Sequence, residues 1–195
     1  MTKAEFAARL KGACASVEGA EGLLTEIESK FGDADHGLTM SKIARAISQA
    51  VEESQSGDAA MAVMGLNGGS AVPLWNTWLD GLQEAAPEGD EVDVAGLKAM
   101  FAHACEALDE ISGAKAGDKT MMDALIPASK AIAAYQGQEA GGLFEPAAKA
   151  AQAGAEASKG FVAKYGRAKS YKEQTIGTPD AGAVSMAYFF RGLAE

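Results

Sequence analysis

Phe31-Gly32-Asp33-Ala34-Asp35-His36-Gly37, with Glu28 just upstream, is the stretch from which the rest of the chain is read. Three carboxylates fall within eight residues, with Gly32 among them and Gly37 just after. Apolar residues at helical spacing stand on both sides. Leu23, Leu24 and Ile27 mark a helix over 18–30, and Met40, Ile43, Ile47 and Val51 mark another over 37–53. The stretch is therefore a loop between two helices. In a chain of formal net charge −10 without a run of basic residues, such a cluster repels itself unless something neutralises it. A hard divalent cation such as Mg²⁺ is the economical counter-charge, because it takes oxygen ligands and bridges carboxylates to phosphates. Asp33 and Asp35 stand two apart and point to one side of an extended segment, and Glu28, on the last turn of the preceding helix, reaches the same point. His36-Gly37 opens the next helix, whose free N–H groups suit an anion. The alternative is a polar interhelical loop with Asp35 as an N-cap and Gly37 easing the turn. An EF-hand is excluded, since its third oxygen ligand, its glycine at position 6 and its closing Glu are not in place.

The same helical spacing runs outward through the chain. Phe6, Leu10 and Ala13 define a helix over 3–16, and Ser54-Gln55-Ser56-Gly57-Asp58 ends the helix over 37–53. Residues 59–66 resume as a helix that runs into Asn67-Gly68-Gly69-Ser70. The adjacent glycines let a backbone approach a ligand, or else make a flexible turn. Pro73 suits the first turn of the next helix, through Trp75, Trp78, Leu79 and Leu82. Leu97, Met100, Phe101, Leu108 and Ile111 mark a helix over 93–111. Ser112-Gly113-Ala114-Lys115-Ala116-Gly117-Asp118-Lys119-Thr120 then breaks the pattern. It has the composition of a phosphate loop but not the G-x-x-x-x-G-K-[ST] order, and no strand precedes it. A helix with Pro127 as a kink follows through Met121, Met122, Leu125, Ile132 and Tyr135, then an Ala-rich helix over 145–164. Gly166-Arg167-Ala168 begins a long polar connection ending at Ile176–Ala183, and the last helix, 182–194, buries Val184, Phe189, Phe190 and Leu193.

No period-2 pattern appears anywhere, so the reading is all-α: a single domain over 1–195 with about eight helices and its Gly-, Asp- and Thr-rich loops gathered at one end. Composition agrees, because only 7% of residues are aromatic and alanine is abundant, which favours closely packed helices over a β-sandwich. No apolar run approaches the ~18 residues a membrane span needs, and the N-terminus does not read as a signal peptide. Cys14 and Cys105 lack metal-like spacing and read as thiols in a reducing cytoplasm. His103-Ala104-Cys105 is metal-binding in composition only. The negative charge excludes nucleic-acid binding, which needs a basic stripe, but not a small phosphorylated ligand held by metal and helix ends.

Taken in order, Gly32-Asp33-Ala34-Asp35-His36-Gly37, Gly68-Gly69-Ser70, Gly117-Asp118-Lys119-Thr120-Met121-Met122-Asp123, Gly166-Arg167-Ala168 and Asp180-Ala181-Gly182-Ala183 resemble the L subunit (DhaL) of dihydroxyacetone kinases. With Glu28 they span nearly the whole chain. The resemblance implies a barrel of eight antiparallel helices holding ADP or ATP at one end through two Mg²⁺ ions. It also implies phosphoryl transfer to a short ketose held covalently on a separate K subunit, so that no covalent catalytic residue is expected here. By position, Glu28, Asp33 and Asp35 become metal ligands, and His36, Gly37, Leu38 and Thr39 lie beside the phosphates. Gly69, Ser70 and Ala71 meet the phosphate chain through backbone amides, and Gly113, Thr120 and Met121 border the adenine. Arg167, with Asp180, Ala181 and Gly182, closes over the nucleotide, while Lys119 is structural or solvated. The phosphoryl donor is ATP, or a resident ADP recharged by a phosphohistidine protein of the sugar phosphotransferase system.

Three departures mark a divergent member. Glu28 stands where the family usually has Asp, which moves the carboxylate by roughly 1.5 Å. The usual Gly-Gly-[Ala/Thr]-Ser-Gly reads Gly68-Gly69-Ser70-Ala71-Val72, and Asp-Pro-Gly-Ala reads Asp180-Ala181-Gly182-Ala183. They imply altered nucleotide affinity, another acceptor or weakened activity, and they motivate a rival reading as a non-catalytic nucleotide-sensing module.

Overall fold

The computed structural model describes residues 1–53 and 58–195. Its α-helices are α1 (Lys3–Gly19), α2 (Glu21–Ser29), α3 (His36–Glu53), α4 (Ala59–Met64), α5 (Ala71–Glu84), α6 (Val94–Ser112), α7 (Met122–Ala134), α8 (Phe144–Ala157) and α9 (Ala181–Ala194), with 3₁₀ turns at Ala140–Leu143, Ser158–Gly160 and Arg167–Thr175. Among the described residues no strand forms; one isolated bridge joins Thr2 to Glu91. No described helix is long and apolar enough to cross a membrane.

Side-by-side packing closes a ring. α1 packs on α3, α3 on α4, α4 on α5, α5 on α6, α6 on α7, α7 on α8, α8 on α9, and α9 returns to α1, while α2 lies against α3. Among the described residues, eight helices thus make the barrel and the ninth braces it. The barrel interior is filled by Trp75, Trp78, Phe101, Phe144, Phe189 and Phe190, all fully buried. Trp78 meets Phe101, Phe189 and Phe190 edge-on at centroid separations of 6.0, 5.4 and 6.4 Å. Such pairs add about 0.5–1.5 kcal/mol each beyond the area they bury. Few aromatics suffice because they are concentrated in one place, and alanines line the seams where helices meet.

Helix ends follow local chemistry. Thr2 and Glu5 form a capping box on α1, Asp93 caps α6 through the Gly96 amide at 2.7 Å, and Gly113, at φ +60°, ends α6 in the left-handed conformation that a glycine adopts without strain. Several expected boundaries move. α1 runs on to Gly19 because Val17 is buried, so the second helix begins at Glu21 rather than 18. The Ala-rich helix stops at Ala157, where buried Ser158 bonds back to the Ala155 carbonyl at 2.6 Å. The break expected at Ser54-Gln55-Ser56-Gly57 lies outside the described residues, while Asp58 caps α4 through the Met61 amide.

Candidate metal and phosphate site

One end of the barrel carries a cleft of about 290 Å³. Its acidic wall is the loop between α2 and α3. Glu28, Asp33 and Asp35 each offer a carboxylate oxygen, and these oxygens all lie within 4.8 Å of one another. Glu28 stands on the last turn of α2, and its Oε2 accepts the His36 backbone N–H at 2.5 Å. Burial, together with the charges of Asp35 and Asp33, pushes the Glu28 carboxyl above its usual range, although the His36 and Asp35 amides pull it down. Three like charges at this spacing repel one another, and an opposite charge among them would relieve the repulsion. An all-oxygen donor set fits a hard divalent cation rather than zinc or copper.

The facing wall comes from the far end of the sequence. Arg167, at the start of the 3₁₀ segment, reaches across to Asp33 Oδ2 at 2.5 Å, and Tyr171 meets Phe31 edge-on with ring centroids 5.2 Å apart. Pro179, Asp180, Ala181 and Gly182 line the same cleft. Asp180 caps α9 through the Ala183 amide at 2.8 Å. Burial pushes its carboxyl up to about 7, against that amide bond and the nearby Lys119. Gly69, Ser70 and Ala71, at the N-terminus of α5, complete the polar lining, while Ile27, Phe31, Leu74, Trp75 and Met121 supply apolar surface.

The third loop, 113–121, is fixed from below. Both oxygens of Asp123 are occupied, Oδ1 by the Gly117 amide at 2.5 Å and Oδ2 by the Thr120 amide at 2.8 Å, and Asp123 is only 3% exposed. Asp123→Asn removes one acceptor and leaves an amide N–H group facing a donor. A lost hydrogen bond to a charged partner costs about 1.5–3 kcal/mol, so urea denaturation is expected to show a loss of about 2 kcal/mol. An unchanged midpoint would refute the stapling role.

Of the residues expected here, Glu28, Asp33, Asp35, His36, Thr39, Gly69, Ser70, Ala71, Thr120, Met121, Arg167, Asp180, Ala181 and Gly182 line this one cleft. Gly37, Leu38 and Gly113 do not. Gly37 is buried, and a Cβ there would collide with the Glu21 carbonyl oxygen and Thr25 Oγ1. It is the contact point between α2 and α3. Leu38 is 48% exposed and turns away, and Gly113 terminates α6, its carbonyl accepting the Tyr165 hydroxyl at 3.1 Å. His36 lines the cleft, but its ring turns toward α9, with Nε2 3.2 Å from Ser185 Oγ. Burial pushes this imidazole down to about 4, so it is a neutral anchor rather than a cation for phosphate. The sequence reading passed over Phe31, Tyr165 and Trp75 as cleft residues. Tyr165, an aromatic directly before Gly166-Arg167, carried a readable signal; Trp75 did not, because its spacing is that of a core residue. His103 sits at the surface, paired with Glu84 at 3.0 Å.

An all-helical barrel thus brings a carboxylate triplet, a glycine loop and an arginine together at one end, a set that could hold a divalent cation and an anion. The DAK2 domain profile matches residues 30–195, and the chain belongs to that family, with the DhaL-type fold. An L-erythrulose 1-kinase of Mycolicibacterium smegmatis is 30% identical over 184 residues, which cover 90% of this chain and 32% of that one. The ADP-binding subunit DhaL of PEP-dependent dihydroxyacetone kinase 2 from Listeria innocua is 30% identical over 198 residues, 95% of this chain and 90% of that subunit. The dihydroxyacetone kinase of C. freundii, solved in complex with AMP-PNP and Mg²⁺, matches with a TM-score of 0.70 at 26% identity, over 96% of this chain and 33% of that one. The chain spans about a third of the length of the erythrulose kinases it matches.

Proposed function

We propose that this chain is the nucleotide-binding part of a kinase that phosphorylates a short ketose, working with a separate K subunit that holds the ketose covalently. The observation that carries the reading is the convergence of the Glu28/Asp33/Asp35 oxygens, the Gly69–Ala71 loop and Arg167 on a single cleft. Two Mg²⁺ held by those three carboxylates would neutralise the phosphate charge and polarise the terminal phosphoryl group.

The chain's own residues do the positioning. Backbone amides at the start of α5 orient a polyphosphate, and Arg167 offers a planar donor fork suited to phosphate oxygens. Ile27, Leu74, Trp75 and Met121 give the base an apolar bed that excludes water. Neutral His36 ties the acidic loop to α9. With the ketose on the partner, this chain needs no nucleophile of its own.

Support for the ligand class comes from the Listeria relative's ADP and the C. freundii enzyme's AMP-PNP and Mg²⁺. For the acceptor, the relatives offer dihydroxyacetone and erythrulose. The donor is exchanging ATP or a resident ADP recharged by a phosphotransferase-system phosphohistidine protein. ADP that survives gel filtration and appears in the mass spectrum of the purified chain favours the resident cofactor. Titration calorimetry tests the core of the proposal: ADP is expected to bind in Mg²⁺ buffer and to lose its binding heat when EDTA strips the metal. ADP binding that is indifferent to EDTA overturns it.

A nucleotide-sensing module is the second reading, favoured by Glu28, one of whose oxygens is already engaged by the His36 amide. Nucleotide binding without phosphorylated product, in an assay containing a cognate K subunit and either donor, would select it.

A further inference from the structure

Lys119 lines the cleft yet is only 4% exposed, and its ammonium is taken up by backbone carbonyls. Nζ donates to the carbonyls of Ser158 at 2.7 Å, Phe161 at 3.1 Å and Thr178 at 2.6 Å. An ammonium has three protons, so none is left for a ligand. The backbone around it is committed as well, since Lys119 is one of three non-glycine residues at positive φ among the described residues, at +61°, a conformation that L-residues adopt only when their surroundings hold them there.

The three acceptors are not scattered. Ser158 and Phe161 lie where the chain leaves α8, and Thr178 lies where it returns to α9. Between them runs the excursion that carries Tyr165, Arg167 and Tyr171 to the acidic loop. Nearby bonds close the same neck: the Gly177 amide on the Lys159 carbonyl at 2.7 Å and the Asp180 amide on Ser158 Oγ at 2.9 Å. We propose that Lys119 is a positioning residue for the phosphate site, a buried ammonium clasp that fixes both ends of the 162–177 excursion and thereby aims Arg167 at the metal-binding carboxylates. A tethered segment with both ends fixed presents its side chain at a high effective concentration; a frayed neck lowers it without touching Arg167 itself.

The exchange arm of the test is independent of function; the binding arm rests on the nucleotide reading above. In Lys119→Met, amide hydrogen exchange across 162–177 is expected to rise about tenfold or more while α3, α5 and α9 keep their protection. A double-mutant cycle on Mg-ADP affinity then separates positioning from general damage. Arg167→Ala is expected to weaken binding about tenfold in the parent chain but less than about twofold once Lys119 is Met. Should Lys119→Met fail to fold, Lys119→Gln, which retains amide donors, carries both measurements. Additive losses, or unchanged exchange in 162–177, overturn the proposal, as does failure of both variants to fold, because the lysine would then hold the whole barrel. A parent chain that does not bind Mg-ADP removes the nucleotide reading and leaves the exchange result to decide the clasp.

Discussion

Asp35→Asn is expected to leave the protein folded and to remove most of its thermal stabilisation by Mg-ADP. With free ligand at about 100 times Kd, binding adds about 2.7 kcal/mol to the stability of the parent chain. For a chain of this length that raises Tm by about 5–11 °C. The substitution swaps a charged oxygen ligand for a neutral amide, and hard cations depend on ligand charge. Even changes to groups behind the ligands cost about 10–100-fold in affinity, so a loss of at least 100-fold is expected. At the same ligand concentration the remaining stabilisation is about 0.4 kcal/mol, roughly 1–2 °C. Without ligand the variant should be as stable as the parent or slightly more so, because one of the charges that push Glu28 upward has gone. Equal shifts in parent and variant, read by scanning calorimetry with and without Mg-ADP, would remove Asp35 from the site.

The second large effect is expected at Gly37. Its neighbours in the way of a Cβ are the Glu21 carbonyl, Thr25 Oγ1 and the Thr25 amide, so the obstruction is mostly α2 backbone, which cannot rotate aside. Gly37→Ala must push α2 off α3. Overpacking typically costs about 1–3 kcal/mol and more where the backbone has to move, and about 3 kcal/mol corresponds to a Tm fall of roughly 6–12 °C. Because Glu28 rides on α2, Mg-ADP binding should weaken in parallel. Leu38→Ala, one residue along but exposed, should stay within about 0.5 kcal/mol. If instead Gly37 lay under a phosphate, the alanine variant would lose affinity at unchanged Tm, and that pattern would contradict the packing assignment.

The adjacent pair also shows what a sequence does and does not disclose. Periodicity placed α3, α6 and α9 to within a residue or so, since Met40, Ile43 and Ile47 or Leu97, Met100 and Phe101 leave little choice of face. The acidic loop was legible because like charges so close together demand an explanation wherever they fold. The purpose of Gly37 was not legible, because a glycine at a helix start reads as turn chemistry and its close approach to α2 depends on a packing angle. The inward turn of His36 toward Ser185 joins residues far apart in the chain, and no local pattern announces it. Lys119 shows a further limit: a lysine in a Gly-Asp-Lys-Thr run reads as solvated or structural alike, and only the carbonyls gathered round it decide. The Arg167–Thr175 segment hid its 3₁₀ turns because Lys172, at φ +50°, interrupts any regular period.

The two walls of the cleft are drawn from segments more than a hundred residues apart in the sequence, with α9 closing the ring against α1. Synthesis proceeds from the N-terminus, so the ribosome releases the carboxylates of the 28–35 loop long before Arg167 and the cap of α9 emerge. A nascent chain arrested ahead of α9 holds the acidic half of the cleft without its partner wall. A ligand that needs both walls would therefore wait for α9, and its stabilisation would reach this domain only after α1 to α8 have been made.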